Sequence, residues 1–204
     1  MELILLQIII VCSFILSIFL DDYTICKFFD EIKNKKFKSE AFTERSKRTF
    51  FVRCINHTVP IFCGYFITFY ENFFILTLIC FNLSILSSII YFNFKYNLKF
   101  YGFFFFFEKI FILGVITFVL YLNAPLLINL FSTIFETYSK IILQLTTILN
   151  FFPVIFVTFF IDPIISKKID KDKNVEYIKL MYISIRLFSR FLLALSFNLI
   201  YLNL

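Results

Sequence analysis

Long apolar runs, separated by shorter charged stretches, set the pattern of this chain. The first run covers residues 3–20 and is expected to end at Asp21 and Asp22. A mixed polar stretch, 21–58, follows. Residues 59–70 are apolar but short and carry Pro60 and Gly64. They predict an interfacial or re-entrant segment leading into Glu71, with a full span reaching to about residue 80 as the alternative. Further runs cover 73–94, 110–128 and 141–161. The last, 177–204, contains Lys179, Arg186 and Arg190, and reads as one span or as two short tilted helices that turn near Arg186.

Such runs reach or approach the roughly 18–20 residues that cross a bilayer. In hydrocarbon only helices or closed barrels satisfy the backbone, and these runs lack the alternation of a barrel strand. The pattern therefore predicts an all-α fold, a polytopic membrane helix bundle of about five to six transmembrane helices. No tandem repeat or low-complexity linker divides it, so residues 1–204 are expected to form a single integral membrane domain. The first run has no basic leader and no small-residue cleavage site, and is taken as a mature helix, not a signal peptide. Asn123, Pro125 and Asn129 mark where the third span ends or kinks, and Pro153 is expected to bend the fourth. Glu136 and Lys140, four apart, can pair on one helical face.

Composition strengthens the membrane reading. The chain is 60% hydrophobic and 17% charged, with mean hydropathy +0.88. A soluble domain carries about half apolar residues and about a quarter charged. There are 34 Phe but 3 Gly and no Trp. Membrane helices usually pack closely through small residues, so this usage points to A/T-rich coding and an organelle origin.

Composition also excludes much chemistry. Cys12, Cys26, Cys54, Cys63 and Cys80 show no paired metal spacing, and His57 has no second imidazole to share a metal. No metal and no cofactor are expected. There is no Gly-rich phosphate loop, no Gly-x-Ser-x-Gly and no Cys/His cluster, so no enzyme is expected. Acids are interspersed with the bases of 21–58, which argues against a nucleic-acid partner. What remains are ionisable residues in or near the membrane: Glu71, Glu108, Glu136, Lys140, Arg186 and Arg190. Such residues are costly in lipid and are functional candidates for that reason. The competing reading is a side chain near a helix end that snorkels to water, preferred for Lys179 and Arg190.

Most of the functional information hangs on the stretch Glu71 to Pro125. It reads as a hairpin of two membrane-length segments with Glu71 at its entrance and Glu108 at its tip. Its pattern is Glu71-Asn72-Phe73-Phe74, then Glu108-Lys109, then Gly114, Phe118 and Pro125. Asn150-Phe151-Phe152-Pro153-Val154 follows, and later Phe188-Ser189-Arg190-Phe191-Leu192-Leu193-Ala194. In order and spacing this resembles TatC, the multispanning subunit of the twin-arginine protein translocase, whose mitochondrial form is called MttB. The likeness covers residues 60–204, with a looser match for the first span. It departs from the family in lacking a Pro-Pro-Asp turn, with Arg186 where the Asp would fall, and in reducing the N-terminal signature to Met1-Glu2-Leu3. The family also holds its first long loop outside, whereas the bases of 21–58 would keep that loop inside.

The resemblance implies recognition, with no bond chemistry. Glu108, assisted by Glu2, would bind the arginine pair of a precursor's signal peptide, which suits a bidentate carboxylate contact. Glu71 would help position the inserted signal or a partner, and Pro125 and Pro153 would bend helices into a concave face. The implied partners are the lipid bilayer, folded precursors with twin-arginine signal peptides, and a small single-span subunit or further copies of the chain. The implied location is the mitochondrial inner membrane, with energy from the proton gradient and no bound nucleotide. Two alternatives stay open. Ser184-Ile185-Arg186-Leu187-Phe188 resembles the stretch around the essential Arg of ATP synthase subunit a, which would make Arg186 a proton-channel residue. The third reading is an accessory membrane subunit of a respiratory complex.

Overall fold

The computed structural model describes residues 2–34, 38–56, 59, 62, 63, 66, 73–96, 109–121, 123–144, 152, 153, 155–171 and 175–203. Among them every regular element is helical, and none is a strand. The order is α1 (Glu2–Asn34), α2 (Lys38–Asn56), α3 (Phe73–Tyr96), α4 (Lys109–Tyr121), α5 (Ala124–Ile134), a 3-10 turn (Glu136–Tyr138) and α6 (Ser139–Gln144). A π-helical stretch (Phe156–Ile161), α7 (Asp162–Lys171) and α8 (Val175–Asn203) complete it. With only three Gly and four Pro in the chain, little interrupts a helix once it forms.

Among the described residues three helices are long and apolar enough to cross a membrane: Ile4–Asn34, Phe73–Lys95 and Val175–Leu202. Their outward faces carry Ile4, Ile8, Leu16, Ile75, Leu86, Ile90, Leu199 and Leu202, all exposed, as a lipid-facing surface requires. The expectation for the first span needs correction. Helix α1 does not stop at Asp21 and Asp22 but runs on to Asn34. At 33 residues it is about 50 Å long against a hydrocarbon core of about 30 Å, so its last turns extend past the bilayer. Asp21 lies on the stripe of Phe14, Ser17, Thr24 and Phe28, whose spacing of three and four keeps one face buried.

The last helix is continuous through Arg186, with no turn there. The third apolar run breaks where its Asn and Pro stand. Helix α4 ends at Tyr121, and α5 starts at Ala124 with Pro125 in its first turn, where a missing N–H costs nothing. At 13 residues α4 is short for a span. Of the run 141–161, residues 145–151 and 154 lie outside the described residues. Pro153 is buried, and the π-helical stretch begins three residues beyond it.

Side-chain partners fix the helix directions. Along α1, Asp21, Phe29, Asp30 and Lys33 meet Arg186, Tyr182, Lys179 and Glu176 of α8, so the two run antiparallel. Phe14, Asp22 and Asp30 meet Phe81, Ser88 and Lys95 of α3, so α1 and α3 run in the same direction. Phe111, Gly114 and Phe118 of α4 meet Phe188, Ile185 and Tyr182 of α8, again antiparallel. Of the segments expected to form a hairpin, α4 packs chiefly on α8, whereas α3 packs on both α1 and α8.

Among the described residues two large apolar clusters, with a small third of Cys26, Phe92 and Ile183, fill the bundle. One gathers Ile10, Phe14 and Ile18 of α1 with Phe73, Leu76 and Phe81 of α3, Leu126 and Leu130 of α5, and Leu193 and Phe197 of α8. The other gathers Ile25, Phe28 and Phe29 with Phe111, Phe118, Ile165, Tyr182 and Ile185. On the lipid side of α3 and α8 the Asn82 and Asn198 side chains close a ring. Asn82 donates to Asn198 Oδ1 (3.4 Å) and to Leu78 O, while Asn198 donates to Asn82 Oδ1 (2.9 Å) and to Ala194 O. All four amide N–H bonds are thereby used, as hydrocarbon demands.

Candidate functional site: a buried charge layer between the spanning helices

Between the two apolar clusters lies a layer of charge. On α1, Asp21 and Asp22 stand between Ile18 and Ile25; on α8, Arg186 and Arg190 stand between Ile185 and Leu193. A spacing of four puts both Arg on one face of α8. All four are buried: Asp21 is 2% exposed, Asp22 0%, Arg186 2% and Arg190 5%. At such burial an unmatched charge is prohibitive, so the balance of two acids and two bases decides whether the layer can exist.

The match is geometric as well as numerical. Arg190 grips Asp22 with both terminal nitrogens, Nη1 to Oδ2 at 2.7 Å and Nη2 to Oδ1 at 2.8 Å. This is the bidentate fork that makes Arg the best carboxylate partner. The same Asp22 oxygen accepts from Ser88 Oγ of α3 at 2.8 Å, and Arg190 Nη1 also donates to Ser88. So the layer joins α1, α3 and α8. Arg186 donates through Nη1 to Asp21 and through Nη2 to Asp21 Oδ1 at 3.3 Å, and its Nη1 lies 3.6 Å from Asp22. Its guanidinium lies against the rings of Phe118 (4.7 Å) and Tyr182 (5.3 Å), which offer their negative faces to it. Nε of Arg186 is buried with no hydrogen-bond partner among the described residues.

At the end where α1 outruns the membrane, further ion pairs gather. Arg45 of α2 donates to Asp162 at 2.8 Å and to the Tyr182 hydroxyl at 3.0 Å, and lies over the Phe28 ring. Arg48 Nη2 meets both oxygens of Glu31, at 2.5 and 2.6 Å. Lys95 reaches Asp30 at 3.2 Å, and Lys179 lies 3.0 Å from Glu176 and 4.0 Å from Asp30. These pairs tie α1, α2, α3, α7 and α8 into one polar headpiece.

The residues expected from sequence fall in several places. Arg186 is in the charge layer. Arg190 is there too, fully paired, and does not snorkel to water. Glu71 and Glu108 lie outside the described residues. Glu2 opens α1, at the end opposite the headpiece, and is not brought to the end of α3 from which the chain leaves toward Glu108. Pro125 opens α5 and Pro153 is buried. Glu136 and Lys140 are both exposed with no ion pair between them among the described residues. The backbone breaks at Phe135 (φ −111°, ψ 63°) and Glu136 sits in a 3-10 turn, so the two do not share one regular helix. Sequence reasoning missed Asp21, Asp22 and Ser88. Two adjacent acids on the buried stripe of one apolar run, matched by two Arg four apart in another, are the signal that points to them.

No family model matches the chain, and neither a curated protein nor a solved structure matches it. Fold and site thus define a class: among the described residues, an all-helical protein with three helices of membrane-spanning length, joined by a neutral, buried charge layer. Among the described residues no three His, Cys, Asp or Glu side chains converge to hold a metal ion.

Proposed function

We propose that the chain is the multispanning subunit of a twin-arginine protein translocase, with about five to six spans, working in the mitochondrial inner membrane. The observation that supports it best is the length of α3: its 24 helical residues, Phe73–Tyr96, about 36 Å long, lie along the chain between Glu71 and Glu108. That is the arrangement expected for one carboxylate on each side of a membrane. Glu108 is the residue proposed to bind the arginine pair of the signal peptide. Glu2 is the residue proposed to assist it. Folded precursors and a small single-span subunit, or further copies of this chain, are the proposed partners.

The experiment is crosslinking of a twin-arginine precursor to the full-length chain in membranes. Glu108→Gln is expected to abolish the crosslink while leaving the protein at its normal level. An undiminished crosslink would remove the assignment.

A second reading is favoured by the charge layer itself. A proton-channel Arg facing a moving partner needs access to that partner, whereas Arg186 is 2% exposed and paired with Asp21. A closed, neutral layer suits a subunit whose charges hold its own helices together, as in an accessory membrane subunit of a respiratory complex. Co-migration with such a complex in native electrophoresis would select that reading.

A further inference from the structure

We infer that the chain crosses the membrane between α2 and α3, through the segment that includes Val59 and Phe66, so that the starts of α1 and α3 face one compartment and the headpiece faces the other. The inference stands on helix directions and does not rest on the translocase reading.

Helices α1 and α3 are both long enough to span, and they run in the same direction. Helix α1 ends at the headpiece; α3 starts at the opposite end, where Phe74 meets Tyr201 near the close of α8. The chain that links them must therefore return across the bilayer. Helix α2 begins this return. It folds back after Asn34, its early residue Ala41 packing beside Phe28 and Ile32 and its later residue Val52 in the cluster of Ile10, Phe14 and Ile18. Beyond it Val59, Phe62, Cys63 and Phe66 are helical, at the three-and-four spacing of one helix face. Val59 is 0% exposed, Cys63 0% and Phe66 1%, and all three belong to that same cluster, level with the apolar half of α1. The Phe66 ring lies 6.1 Å from Phe73, the first residue of α3, so the descent reaches the far end. A re-entrant segment would return to the headpiece side and force α3 to run against α1.

The entrance of the crossing carries membrane-interface residues. Phe50 and Phe51 project from α2 as exposed aromatics, one turn after Lys47. Cations flanking a span are retained on the inner side. With this crossing Lys33, Arg45, Lys47 and Arg48 fall on one face together with Lys95, as the positive-inside rule favours.

The test is one-sided labelling of the full-length protein in sealed vesicles with a membrane-impermeant maleimide. Single cysteines are placed at Glu2→Cys, Lys47→Cys or Lys95→Cys, in a background where exposed Cys12 and Cys54 are Ser and the three buried cysteines are kept. Positions 47 and 95 are expected to label from one face and position 2 from the other, against a detergent-opened control. Labelling of 95 with 2, opposite 47, would overturn the crossing, and so would labelling of 2 with 47. Should a variant fail to accumulate, mass spectrometry of the wild-type chain after an impermeant amine reagent reads Lys47 and Lys95 directly. Labelling of these two lysines from opposite faces has the same overturning force.

Discussion

Replacing Asp22 by Asn removes one charge from a layer that has none to spare. Asp22 accepts two bonds from Arg190 and one from Ser88, and Arg190 is only 5% exposed. Breaking a buried pair by removing one partner costs about 3–5 kcal/mol, because the surviving charge stays buried and unmatched. At 1.4 kcal/mol per tenfold, that is roughly a hundredfold to a few thousandfold in the folded-to-unfolded ratio. The counterpart Arg190→Met is expected to cost a similar amount, leaving Asp22 unmatched. Removing both partners leaves Asp21 with Arg186 and restores neutrality, so D22N/R190M is expected to be more stable than either single variant. The coupling between the two sites then exceeds about 2 kcal/mol, as for residues in one ion-pair network. The assay is thermal unfolding of the four full-length proteins in mild detergent. Costs that simply add, or a D22N protein as stable as the wild type, would refute the idea that the layer holds the helices together.

Other positions give independent tests. Gly114→Ala puts a Cβ about 2.9 Å from Cγ2 and Cδ1 of Ile185, next to Arg186, and is expected to destabilise by about 1–3 kcal/mol, with recovery on adding Ile185→Ala; thermal unfolding of the pair checks this. Asn82→Leu opens the amide ring and leaves Asn198 with an unused N–H in lipid, at an expected cost of about 0.6–2 kcal/mol, read as a lowered melting temperature. Arg45→Lys cannot serve Asp162 and Tyr182 together while lying over Phe28, so a loss of about 1.5–3 kcal/mol is expected, visible as faster proteolysis between α2 and α7.

The spans of α1, α3 and α8 were legible because an unbroken apolar run of that length has few alternatives to a membrane helix. The ends of those helices were not. Asp21 and Asp22 look like a stop signal because an acid in hydrocarbon is prohibitive alone, and only a partner 165 residues away makes it tolerable. Arg190 looked like a snorkelling residue for the same reason: its partner is not local. The break at Asn123 and Pro125 could be read directly, since backbone chemistry there is local. The relative directions of α1 and α3 could not, since apolar composition is the same read from either end.

The charge layer also imposes an order on how the protein is made. Synthesis delivers α1 well before α8, so the two acids enter the membrane long before the two arginines exist. During that interval Asp21 and Asp22 must face water, lie at a bilayer edge, or be sheltered by another protein. The long apolar helix bearing them cannot settle into its final seat on its own. The arrival of α8 then closes the layer, and it distinguishes a chain whose charges are matched from one whose charges are not.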